Sequence, residues 1–172
     1  MPEEMREIAL EIEDFLSSGY WEISAEREPT RKACREVLRR LPSEIRERIM
    51  VKQSVILIAP GGADLGLARP MTVNAVKHET TPAFNMTVIG GDTISPSLQI
   101  STFQFGLVYL SPELDEHDCK AIVAVVAHEI AHTESRNIVG ENGERQADAL
   151  IRTWGFGKEL DYLRAVNLRH RW

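Results

Sequence analysis

The sequence predicts an α+β domain: a helical N-terminal part, then a small sheet packed on a buried helix. Three observations predict it. Residues 2–52 carry apolar side chains at helical spacing. From Val55 the pattern changes to short strand-like runs parted by glycine and proline. From Cys119 to Ile130 the chain is apolar nearly all round, as a helix covered on several sides must be. A chain of 172 residues suits one domain spanning 1–172, with 1–52 as its helical part and 53–172 as sheet plus two site-bearing helices.

Pro2 to Leu16 sets Met5, Ile8, Ala9, Ile12, Phe15 and Leu16 on one face, and Ser17, Ser18 and Gly19 stop the helix. A second helix is expected from Thr30, with Cys34, Val37, Leu38 and Leu41 inward. Pro42 interrupts it, Ser43 is suited to cap a third, and Ile45 and Ile49 extend the stripe. Val55 to Ile58 reads as a strand ending in a turn, and Gly61, Gly62 and Gly66 fit neither phosphate-loop spacing. Phe84 to Ile89, Leu98 to Phe103 and Leu107 to Leu110 complete an antiparallel or mixed sheet. Pro112 and Asp115 suit the start of the next helix, with Asp115 and Asp118 approximating a capping box. Lys158 to Arg171 reads as a terminal helix with Leu160, Leu163 and Val166 inward.

A net charge of -6 argues against a phosphate-binding surface, so nucleic acid is not an expected partner. The local run Arg31, Lys32, Arg35, Arg39 and Arg40 reads as the solvated face of a helix. Cys34 and Cys119 form no C-x-x-C pair and no disulfide framework, and packing is the expected role of Cys119. The first fifteen residues are acidic and periodic, unlike a signal peptide, and no apolar run reaches about 18 residues. The expectation is a cytoplasmic protein without a membrane partner.

His128, Glu129 and His132 spell H-E-x-x-H inside the apolar helix. Side chains four apart stack on one helical face, with Cβ atoms roughly 5 to 6 Å apart, so the two imidazoles can grip one ion. Nitrogen ligands at about 2.0 to 2.1 Å suit zinc, whose catalytic sites keep one position for water. Glu129 lies about 100° further round the helix, which suits a general base acting on that water. After His132, Asn137, Gly140, Asn142 and Gly143 supply breakers, and a second helix is expected to open at Glu144. In an antiparallel hairpin, facing residues keep a constant sum of residue numbers, which pairs 132 with 144 and 128 with 148. Glu144 then becomes the third ligand, and Asp148 accepts the outer ring N–H of His128. Glu134 and Glu141 are alternative third ligands.

HEIAH followed by ERQAD resembles the zincin metallopeptidases whose third ligand is glutamate, the gluzincins. ERQADA is similar to the E-x-x-A-D element of the family containing the CAAX-processing and heat-shock membrane proteases. The likeness spans about Leu107 to Leu150; the chain departs from that family in having only eleven residues between His132 and Glu144, in lacking its transmembrane helices, and in offering no more than an echo of its N-A-F-A edge-strand motif at Val73 to Val76, so no substrate-binding residues carry over. It implies a zincin-like fold, one zinc per chain, His128, His132 and Glu144 as ligands, Glu129 as base and Asp148 behind the ligands. The H-E-x-x-H-x-x-G-x-x-H pattern fails at Ser135 and Ile138. A di-iron bundle needs a second E-x-x-H, and the residues three before the other histidines are Ala75, Leu114, Val125 and Asn167.

The expected activity is hydrolysis of peptide bonds in a peptide or protein substrate held along a sheet edge. Tyr109, Arg145, Tyr162 and His170 are the candidates for stabilising the oxyanion. Two alternatives stand beside it: a catalytically inactive zincin-like binding or regulatory protein, and a metal-dependent amidase acting on a non-protein substrate.

Overall fold

The computed structural model describes residues 3–61, 83–90, 103–134 and 141–166. Helix α1 (Glu3–Ser17) buries Ile12, Phe15 and Leu16, while Met5 is 47% exposed because the core ends a turn short of it. Gly19 turns the chain at φ +82, a conformation without steric penalty only for glycine. Strand β1 (Trp21–Ile23) follows, with Trp21 and Ile23 inward and Glu22 outward. Three residues are too few to display an alternation, so the part of the chain expected to be purely helical contributes a strand.

Helix α2 (Glu28–Arg40) starts two residues ahead of the expected Thr30, because Pro29 falls in the first turn, where a missing N–H costs nothing. Ala33, Cys34, Val37 and Leu38 enter the core. The basic run along its outer face is largely paired: Arg35 with Glu13, Arg39 with Glu36, Arg40 with Glu159. Helix α3 (Ser43–Met50) has Pro42 at its cap and no side-chain capping bond, so Ser43 does not take the expected role.

Strands β2 (Val55–Ala59), β3 (Ala83–Gly90) and β4 (Phe103–Leu110) join β1 in one mixed sheet of order β1-β2-β4-β3. β1, β2 and β4 are parallel, and β3 runs antiparallel to β4. Phe103 opens β4, and the remainder of the strand expected over Leu98 to Phe103 lies outside the described residues, as does Val73 to Val76. Val55, Leu57 and Ala59 share the core with Val108 and Leu110.

A 3-10 helix (Pro112–Glu116) leads from β4 into helix α4 (Cys119–Glu134). Asp118 caps α4, its Oδ1 accepting from the N–H groups of Lys120 at 2.9 Å and Ala121 at 3.1 Å. Asp115 is drawn elsewhere, so the expected capping box does not form. It faces Arg27, which is only 2% exposed and spends all five N–H donors. These go to Asp115 Oδ2 (2.6 Å), Thr30 Oγ1 (2.9 Å) and the carbonyls of Pro60 (2.8 Å), Leu110 (3.1 Å) and Ser111 (2.8 Å). One guanidinium thereby ties the ends of β2 and β4 to the start of α2.

Helix α4 is central, packed by α2 and the sheet as well as by two following helices, and Ala121 to Ala127 are all buried. Cys119 stays exposed, because it precedes the buried stretch, and does not pack as expected. Those following helices are α5 (Glu141–Thr153) and α6 (Gly157–Val166). They meet at a glycine-terminated corner: Gly155 has φ +87 and the N–H of Phe156 reaches Ile151 O at 2.9 Å. α5 opens three residues before the expected Glu144, with Asn142 and Gly143 inside its first turn, where backbone N–H groups are unpaired in any case. Val166, expected inward, is 52% exposed at the end of α6. Among the described residues no helix is long and apolar enough to cross a membrane.

Candidate metal centre

The last two turns of α4 are held close to the sheet by a missing side chain. A Cβ on Gly106 of β4 would lie 2.3 Å from Cγ2 and 2.5 Å from Cβ of Thr133. Only glycine lets the helix come this near, and Thr133 is the neighbour of His132. The same contact fixes which face of β4 looks at α4: Gly106, Val108 and Leu110 face the helix, and Tyr109 points to the other side.

On the opposite flank, α5 brings Glu144 to both histidines. His128 Nε2 lies 3.1 Å from Glu144 Oε2, His132 Nε2 lies 3.2 Å from Glu144 Oε1, and the two Nε2 atoms are 2.9 Å apart. The imidazole planes stand at 81°, so their Nε2 atoms converge without the rings stacking. The histidines are mostly buried while Glu144 is 57% exposed, which leaves the centre open on the α5 side. Neither alternative carboxylate joins them: Glu134 pairs with Arg48 at 2.5 Å, and Glu141, 89% exposed, sits beside Arg145. Among the described residues, His128, His132 and Glu144 form the group able to hold a metal ion.

Their spacing fits one. A tetrahedral shell with ligands at about 2.0 to 2.1 Å has edges of about 3.3 Å, close to the three separations here. The electrostatics agree. Burial opposes protonation of His128, but its hydrogen bond to Glu144 and the charges of Glu129, Glu144 and Asp148 outweigh this and raise its pKa above the usual value. Glu144 is held below the ordinary carboxylate range by its hydrogen bond to His128, against the opposing effect of its partial burial. A site that stabilises extra positive charge on an imidazole also favours a cation between the imidazoles.

Behind His128, Asp148 Oδ1 lies 3.4 Å from Nδ1, and both atoms are buried with no hydrogen-bond partner. A metal held at Nε2 fixes the imidazole proton on Nδ1, aimed at this oxygen. Asp148 Oδ2 accepts from Arg164 of α6. Sequence reasoning missed Arg164: it lies sixteen residues beyond Asp148, on another helix, and no spacing rule links the two. Glu129 is 6% exposed, buried within α4 one residue from His128.

The oxyanion candidates fare differently. Tyr109 is on the far face of β4. Tyr162 donates its hydroxyl to Asp118 at the start of α4. That is ten residues, or about 15 Å along the axis, from His128. The pairing of Tyr162 with the capping carboxylate therefore takes it away from the centre. Arg145 follows Glu144 on α5 and is exposed, 3.5 Å from Glu141. His170 lies outside the described residues. No protein-family model, curated protein or solved structure matches this chain.

Proposed function

We propose that the chain is a zinc-dependent metallopeptidase of gluzincin type, with one zinc per chain held by His128, His132 and Glu144. One observation carries the reading: two imidazole Nε2 atoms and a carboxylate converge at 2.9 to 3.2 Å, with a second carboxylate behind the first imidazole. A bound zinc supplies a Lewis acid that lowers the pKa of water to about 7 and polarises a carbonyl. His128 and His132 contribute neutral donors, and Glu144 offsets one unit of charge. Asp148 holds the Nδ1 proton of His128. Glu129 takes the proton of the attacking water and passes it to the leaving amine.

The substrate in this reading is an extended peptide. β3 is the antiparallel outer strand, and among the described residues no strand pairs with its far edge. α4 packs against β3, so a peptide added there would run beside the H-E-x-x-H helix. A non-catalytic metal-binding role draws on one observation: Tyr109 and Tyr162 both point away from the centre.

Zinc content and cleavage of unfolded casein by wild type and Glu129→Gln separate these. About one zinc per chain in both proteins, with cleavage by the wild type alone, is the expected result. Equal cleavage by both removes Glu129 from the mechanism, and zinc retention without turnover by the wild type favours the non-catalytic role. Glu144→Ala should lower zinc retention.

A further inference from the structure

We infer that α6 is coupled to the metal centre through Arg164, which acts as a positioning residue for Asp148. The inference rests on the metal-site reading above and extends it to a helix that supplies no ligand. Asp148 is 15% exposed and has its two oxygens committed in opposite directions, Oδ2 to Arg164 and Oδ1 toward the orphaned Nδ1 of His128. A carboxylate anchored by one oxygen has one orientation for the other. Without the guanidinium, Asp148 is free to turn, and its charge sits largely buried with no cation at its outer oxygen.

The coupling reaches further because α6 holds α4 at a second point. Tyr162, two residues from Arg164, donates to Asp118, the residue that caps α4. Leu160 and Leu163 fix α6 in the core beside these polar grips. α6 is thus a strut with one contact at the start of the H-E-x-x-H helix and another, through Asp148, behind its first histidine. Docking of α6 favours the orientation of His128 in which Nε2 faces His132 and Glu144. By linkage, an ion held at Nε2 favours docking of α6 by the same factor.

The experiment measures zinc affinity by chelator competition in the full chain, for wild type, Arg164→Met, Arg164→Lys, Asp148→Ala and the double variant Asp148→Ala with Arg164→Met. Arg164 is 58% exposed, so its own substitutions keep the core intact, and a thermal melt of each apoprotein, the two Asp148→Ala proteins included, checks the fold. Partners behind metal ligands carry about 10 to 100-fold in affinity, and an exposed Arg acting through one of them belongs at the lower end, about tenfold. Arg164→Lys should recover part of the loss. In the Asp148→Ala background, Arg164→Met should change nothing further. Amide exchange along α6 should slow on adding zinc to the wild type and respond less in Arg164→Met. Unchanged affinity in Arg164→Met, an equal loss in the Asp148→Ala background, or α6 exchange indifferent to zinc overturns the coupling alone. A wild type that binds no zinc overturns the metal site itself and the coupling with it.

Discussion

Replacing Gly106 with alanine tests how the sheet positions the proposed metal centre. The new methyl carbon would lie 2.3 Å from Thr133 Cγ2 and 2.5 Å from its Cβ. Carbon atoms in van der Waals contact sit about 3.5 to 4.0 Å apart, so the end of α4 or the strand must move by about 1 Å. Both are packed elements, and overpacking of this kind costs about 1 to 3 kcal/mol. Displacement matters more at the centre than in the core. Thr133 adjoins His132, and ligand distances tolerate only about 0.2 Å. The expectation is a fall in the urea midpoint of the apoprotein and a loss of zinc affinity of about tenfold or more. Thr133→Gly in the same chain removes both clashing carbons, and it should restore affinity while costing about 0.5 kcal/mol of helix stability, since threonine is itself a poor helix former. Gly106→Ala with wild-type midpoint and wild-type affinity would refute the close approach and, with it, the assignment of the α4-facing side of β4.

Three further outcomes follow from the same structure. Arg27→Met removes the cation from Asp115, which keeps the Thr30 hydroxyl at its other oxygen, and takes a donor from three carbonyls; loss of one partner from a buried pair should cost about 3 to 5 kcal/mol in urea unfolding, and a loss under about 1 kcal/mol would show that solvent replaces the guanidinium. Burial pushes the Cys34 thiol up to about 12 while Cys119 is exposed, so a thiol reagent at pH 8 should modify one cysteine rapidly and the second only on unfolding. Two fast thiols would contradict the packing of α2. Glu159 is held below its ordinary pKa by its hydrogen bond to Arg40, against the opposing effect of burial. A depressed carboxylate pKa adds stability above the unfolded value of about 4.3 and loses it as pH falls through the folded value. The stability gap between wild type and Arg40→Met, about 1 kcal/mol or less at pH 7, should therefore close in acid, and a gap independent of pH would assign it to the stacking of Arg40 on Phe156 instead.

Local patterns in the chain determined most of the helices and the hydrogen-bonding direction of little else. Cys34, Val37 and Leu38 announce a buried helical stripe because period 3.6 survives any tertiary context. His128 and His132 share a face for the same reason, and the constant-sum argument brought 144 and 148 to them because two helices joined by a short link must pack antiparallel. What the sequence left undecided were the features set by elements distant along the chain. β1 was illegible because three residues carry no period, and it exists only because β2 offers it a parallel edge. The side of β4 that faces α4 was decided by the close approach at Gly106, and that in turn removed Tyr109 from the centre. Tyr162 was removed by a hydroxyl that found Asp118, forty-four residues earlier. Nothing in one dimension singles out Arg27 or Arg164. Burial and the convergence of carbonyls and carboxylates from other elements made one of them a structural hub and placed the other behind His128.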